Sequence, residues 1–243
     1  MKPLDSPKQP FDWDDHVRRL FGALTRKYDL GNTLISFGLH MHWKKALIVG
    51  SGKLMDGCRM LDAAAGTGDI AILAKKLCPT ALVLGVDFSP QMVEYAQRRA
   101  DRALGNQAIE FRLGDLQALN GYPTGEFDLV TIGFGLRNVA NRERTLYEIK
   151  RVLVTGGVLA ILDLSKPMPA PIRPFAWLLL RCAMPVFSFF YTGHCSLYLW
   201  LLRSLQAYPS HPELKLELEN CGFHDVRLRR FALGFISAVY ATS

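Results

Sequence analysis

The chain has no Cys-x-x-Cys pair, and no His is spaced to complete a zinc site with its five scattered cysteines. A zinc module and a dithiol redox motif are therefore excluded, and the odd cysteine number predicts reduced, buried thiols. No apolar h-region opens the chain, which begins MKPLDSPKQPFDWDDHVRRL; this argues against a secretory signal and favours the cytoplasm. Internal repeats and low-complexity tracts are missing too. None of the 8 tyrosines has Lys at the fourth position after it, so the Tyr-x-x-x-Lys dyad of many small reductases is absent. The formal net charge of +7 gathers in RRADR (98–102), VRLRRF (226–231) and HWKK (42–45), but no Arg-rich helix interleaved with aromatics and no common nucleic-acid motif accompanies it. Nucleic acid is therefore not the expected partner; an anionic membrane or an anionic substrate remains.

What is there is enough apolar sequence for a large core: 243 residues, 49% hydrophobic and 21% charged, predict one α/β domain with helical additions. Apolar runs of strand length stand at 59–65, 81–88, 127–134 and 156–165. Between them the helical period rules over Asp69 to Leu77, Pro90 to Leu104 and Arg142 to Leu153. Continuous apolar strands alternating with helices predict a Rossmann-like, doubly wound, mostly parallel sheet. The tail predicts an antiparallel hairpin, Asp225 to Leu233 and Phe235 to Thr242, closing one edge. Residues 14–50 and 171–205 read as helical additions. Cys182 to Leu202 carries no Lys, Arg, Asp or Glu, yet Pro185 and the polar cluster from Thr192 to Ser196 oppose a membrane span and favour two short helices over an apolar ligand or one leaflet.

After the first strand comes LDAAAGTGDIA (61–71). Gly66 and Gly68 permit a tight strand-to-helix turn, and Ala65, Gly66 and Thr67 bring backbone close to a ligand at the helix start. About twenty residues on, Asp87, followed by Phe88, ends the second strand, where a carboxylate accepts from both ribose hydroxyls. A dinucleotide fits this fingerprint as well as S-adenosylmethionine does. The carboxylates of Asp62 and Asp69 disfavour a pyrophosphate and tolerate a cationic amino-acid end. Asp115 and Leu116, at the end of a further strand, suit an adenine amino group and ring nitrogen. With the reductase dyad missing, S-adenosyl-L-methionine is the expected cofactor.

The stretch GFGLRNV (133–139) leaves the core where the third apolar run ends, the usual place for ligands of open α/β sheets. A turn needs only its glycines and Asn138; Arg137 asks for a function.

Several segments together resemble one family: KYDLGNTLISFGLHMHWKK (27–45), LDAAAGTGD (61–69), VTIGFGLRNV (130–139), LDLSKP (162–167) and the tail from Tyr198 to Phe223. The chain is similar over nearly its whole length to the UbiE-type C-methyltransferases of ubiquinone and menaquinone biosynthesis. The resemblance implies a class I methyltransferase fold acting on a ring carbon of a prenylated quinol. It places Thr67, Asp87, Asp115 and Leu116 against the donor, with Gly133 where the family usually has Ser. Other departures are Gly31 and Thr33 for Met and Asp, Asn120-Gly121 for Pro-Phe, and Asp163 for Glu. On this reading Arg137 stabilises a phenolate, Asn138 orients the second oxygen or a water, and a relay touching Asp163 takes the proton, with His40, His42, His194 and Tyr198 as other candidates. A soluble-metabolite methyltransferase and a donor-binding adaptor without catalysis stay open as alternatives.

Overall fold

The computed structural model describes Thr33, Ser36, residues 38–165 and residues 204–243. The expected helices at 171–205, with His194 and Tyr198, lie outside the described residues except for Ser204 and Leu205, as does most of the expected helical cover before Gly38.

Seven strands form one sheet in the order β3-β2-β1-β4-β5-β7-β6. They are β1 (Arg59–Ala63), β2 (Leu82–Asp87), β3 (Glu110–Leu113), β4 (Phe127–Gly133), β5 (Leu153–Leu164), β6 (His224–Phe231) and β7 (Ile236–Thr242). β1 to β5 run parallel, and β7 pairs antiparallel with both β5 and β6. The hairpin therefore closes the sheet as expected, turning through Ala232–Gly234. The helices are α1 (Leu39–Gly50), α2 (Asp69–Leu77), α3 (Pro90–Leu104), α4 (Arg142–Val152) and α5 (His211–Asn220).

Strand residues alternate between two apolar layers. Met60, Leu129, Ala160 and Ala238 face Trp43, Leu47 and Ile48 of α1, Ile70 and Ala74 of α2, and Ala96 of α3. Leu61, Val130, Leu159 and Val239 face Leu146 and Ile149 of α4 and Leu214 and Leu218 of α5. Two-sided burial is why these strands read as unbroken apolar runs. Helix starts are locally encoded: the side chains of Ser89 and Asn141 accept from the N–H groups of Met92 and Arg144, each cap contributing about 1 kcal/mol.

The order reverses between β1 and β4, which pair in register from Met60↔Leu129 to Ala63↔Ile132. At that switch point adjacent strands send their following segments to opposite faces, leaving a crevice beyond their carboxyl ends. The loops after β1 and β4 therefore lie side by side.

Candidate active site

Each of the two loops holds a non-glycine residue in the left-handed region, Ala64 (φ 57°) after β1 and Phe134 (φ 57°) after β4. Such residues persist where their surroundings over-determine them. Here the loops constrain each other: a Cβ on Gly135 would stand 2.7 Å from the Cβ of Ala64, so only glycine allows this approach. Gly68, at φ 80° before α2, is fixed as firmly, because a Cβ there would meet the Phe111 ring at 2.8 Å.

Between the loops opens a cleft of about 1120 Å³, counting space open to solvent. Ala65, Gly66 and Thr67 form its β1 wall, and Gly68 stands behind them as the cap of α2. Asp87 and Phe88 line it beyond β2. Asp87 Oδ2 accepts from Gly66 N (2.8 Å) and Oδ1 from Ser89 N (3.0 Å), so one carboxylate braces both the glycine loop and the start of α3. Burial raises the Asp87 carboxyl above its ordinary value, against these N–H groups. Asp115, exposed, and Leu116, buried, line the cleft after β3. Asp115 Oδ1 accepts from Gln117 N at 2.9 Å.

Asp62 and Asp69 differ sharply in their surroundings. Asp69 is paired twice, to Lys44 Nζ (2.6 Å) and Arg99 Nη2 (2.9 Å), while Arg99 Nη1 also donates to Thr67 O (2.6 Å). Burial pushes its carboxyl up, but the two cations outweigh burial and hold it below its ordinary value. Asp62 accepts from Thr131 Oγ1 (2.9 Å) and Ala71 N (3.1 Å), and burial nevertheless pushes it up to about 7. Because this value lies above that of an unfolded Asp, the folded chain holds an extra proton between about pH 4 and pH 7. The group's contribution to stability is full below pH 4 and is lost as pH rises through 7, at up to about 1.4 kcal/mol per unit. A cation placed beside Asp62 would favour its charged form. Binding of a cationic amino-acid end at pH 7 is therefore expected to release roughly half a proton. Calorimetry in buffers of different ionisation enthalpy measures this; heats independent of the buffer would rule it out.

On the β4 side Gly133, Phe134, Gly135 and Asn138 line the cleft. Leu136–Asn138 form one tight turn, and Asn138 Nδ2 donates to Phe134 O at 3.4 Å. Arg137 and Asp163 are brought together but do not line the cleft among the described residues. Arg137 Nη1 donates to Asp163 Oδ1, Arg137 N to Asp163 Oδ2 (3.3 Å), and Leu164 N to Asp163 Oδ1 (2.8 Å). The side chains are 6% and 1% exposed, so this is a buried pair, with the guanidinium 6.0 Å from the centre of the Phe134 ring. His40 is buried and bonded through Nδ1 to Ser36 Oγ (2.9 Å), while His42 is exposed. At Gly133 a Cβ would lie 2.4 Å from Ile70 Cδ1, so in this chain Ile70 fills the space a side chain would take.

The cleft fits an adenosine bearing a cationic amino-acid end. One cleft brings together the carboxylates of Asp87, Asp115 and Asp62, with Leu116 beside Asp115. A model of the ubiE/COQ5 methyltransferase family matches residues 11–243. The chain belongs to that family. It is therefore an S-adenosylmethionine-dependent methyltransferase, as the loop predicted. Demethylmenaquinone methyltransferases of Staphylococcus aureus strains JH9 and Newman are 35% identical to it over 221 residues, covering 90% of each chain. Among solved structures, a SAM-dependent methyltransferase from Aquifex aeolicus covers 91% of this chain and 97% of its own, with a TM-score of 0.64 at 21% identity. A chain from the complex of the Haloferax volcanii Trm112 methyltransferase activator with a methyltransferase covers 91% and 96%, with a TM-score of 0.66 at 16% identity. These likenesses place the Rossmann-like fold among methyltransferases.

Sequence reasoning missed Lys44, which it counted with the basic surface in HWKK; the structure buries it against Asp69. A signal existed: Lys44 shares a helical face with His40, Leu47 and Ile48, all buried.

Proposed function

We propose that the protein transfers a methyl group from S-adenosylmethionine to a ring carbon of a quinol in menaquinone- or ubiquinone-type biosynthesis. The observation that carries this reading is the single cleft in which the donor loop after β1 faces the Gly133–Val139 segment after β4. The similarity to demethylmenaquinone methyltransferases supports a naphthoquinol-type acceptor. The organisation fits one methyltransferase unit: residues 1–50 as acceptor cover, 59–165 as donor core, 171–205 as apolar insertion and 220–243 as closing hairpin.

The donor, when bound, supplies an electrophilic methyl group on a sulfonium. The chain's task is to make the acceptor carbon nucleophilic and hold it in line. Ionising a phenol of pKa about 10 at neutral pH costs roughly 4 kcal/mol, and one charge-assisted hydrogen bond offsets about 1.5–3 kcal/mol of that. Arg137, stacked on Phe134 of the cleft wall, supplies it, and Asn138 holds the second oxygen or a water. Since three donors converge on Asp163, its part is to aim Arg137, and the proton leaves through water. Fixing carbon and methyl in a near-attack arrangement contributes much of the remaining acceleration.

A prenyl-tailed acceptor lives in a membrane. No helix among the described residues is long and apolar enough to cross one. Peripheral contact at the cytoplasmic face suits the exposed Arg227, Arg229 and Arg230 of edge strand β6 and the uncharged sequence from Cys182 to Leu202. The test is a panel of reduced benzoquinols, naphthoquinols and soluble phenols, read by mass and by the position of the new methyl group. Carbon methylation of a prenylated quinol is expected, faster from anionic vesicles at low salt. Methylation of soluble phenols alone, or on oxygen, overturns the reading.

A further inference from the structure

We propose that Lys44 binds the carboxylate of the donor's methionine moiety, so that α1, outside the nucleotide loop, completes the donor site. The inference rests on donor binding in this cleft and not on the identity of the acceptor. A methionine end carries a carboxylate as well as an ammonium, and the carboxylate needs a cation or N–H groups. The start of α2 is a poor candidate alone, because Asp69 already sits on its first turn. Lys44 is the only Lys or Arg among the described residues lining the cleft.

Its placement suits the task. The Lys44 side chain is 8% exposed, and it lines the cleft beside Thr67 and Asp69. An ammonium has three N–H donors. One is met by Asp69 Oδ2 at 2.6 Å, which fixes where the other two can point. Asp69 in turn keeps Arg99 at 2.9 Å, so a carboxylate drawing on Lys44 leaves Asp69 paired. An incoming carboxylate would give Lys44 a second anionic partner beside Asp69. Arg99 Nη1 holds Thr67 O, so the same cluster also ties the glycine loop to α3. Donor affinity is thereby linked to the docking of α1, which also packs on the sheet through Tyr240 Oη donating to Ala46 O at 3.1 Å.

The experiment compares binding of S-adenosylmethionine and decarboxylated S-adenosylmethionine to wild type and Lys44→Met by calorimetry, without acceptor. Wild type is expected to prefer the carboxylated ligand by about 10- to 100-fold, and Lys44→Met to lose that preference while binding the decarboxylated ligand as wild type does. If Lys44→Met does not fold, Lys44→Met/Asp69→Asn removes the carboxylate charge together with the cation, and the same loss of preference is expected. A preference retained without Lys44, equal weakening of both ligands, or no preference in wild type overturns the proposal. Wild type binding neither ligand overturns it together with the donor assignment, whereas failure of the acceptor reading alone leaves every one of these titrations unchanged.

Discussion

Arg137→Ala is expected to do two kinds of damage, and separating them decides what the residue is for. Asp163 is 1% exposed and loses its cationic partner, so stability should fall by about 3–5 kcal/mol. Methyl transfer should fall roughly 10²- to 10³-fold, the usual cost of removing one donor from a developing oxyanion. A single variant confounds these effects. Arg137→Ala/Asp163→Ala removes both charges, and urea titration should show most of the stability restored because no buried charge is stranded. Transfer should stay depressed, with S-adenosylhomocysteine affinity near wild type. A double variant that methylates normally would falsify the phenolate role and leave Arg137 as a structural ion-pair partner.

The second large effect is expected at Asp87. Its carboxylate braces Gly66 N and Ser89 N, and in the proposed donor site it also accepts from two ribose hydroxyls, so Asp87→Ala should weaken donor binding by about 10²- to 10³-fold, from two charge-assisted bonds at partial strength. Stability should respond differently. Burial raises the Asp87 carboxyl, so its charge is held at a cost to the fold. Asp87→Asn relieves that charge but turns an amide NH2 toward one of the Gly66 and Ser89 N–H groups, so the two effects offset and the melting midpoint of the donor-free protein should change little while affinity is lost. The measurement is a pair of curves, calorimetric titration with S-adenosylhomocysteine and thermal unfolding at neutral pH. Affinity within threefold of wild type in both variants would remove Asp87 from the ribose site.

Much of the fold was legible because it is written in short-range patterns. α2 and α3 begin and end where the helical period and its caps place them, and the two-sided burial of β1, β2, β4 and β5 shows as unbroken apolar runs. α5 went unread although Ser210 and Glu213 form a capping box, since its sequence, HPELKLELEN, buries only Leu214 and Leu218. β5 starts at Leu153 rather than 156 because its first residues pair across an irregularity between Phe127 and Leu129. Of the residues that line the cleft, the glycine loop was legible from its turn chemistry and Asp87 from its spacing at the end of a strand. The Arg137–Asp163 pair as a unit, the seat of Lys44 beneath Asp69 and the plugging of Gly133 by Ile70 all join residues distant in sequence. Such partners depend on strand adjacency: Gly133 stands opposite Leu162 only because β4 and β5 are neighbours.

The edge strand β6 has a bearing on how copies of this chain meet. Eight residues long and largely exposed, it has no further strand beside it among the described residues, and such an edge offers a row of backbone donors and acceptors for pairing. Arg227, Arg229 and Arg230 make that pairing self-limiting, because two copies joined edge to edge would set arginine against arginine. The stacking of Arg227 on Tyr240 and Arg229 on Phe231, at 5.7 and 5.1 Å, keeps those charges at the edge instead of letting them swing away. The closing hairpin thus carries its own guard against edge-to-edge pairing, and neutralising its arginines is expected to weaken that guard.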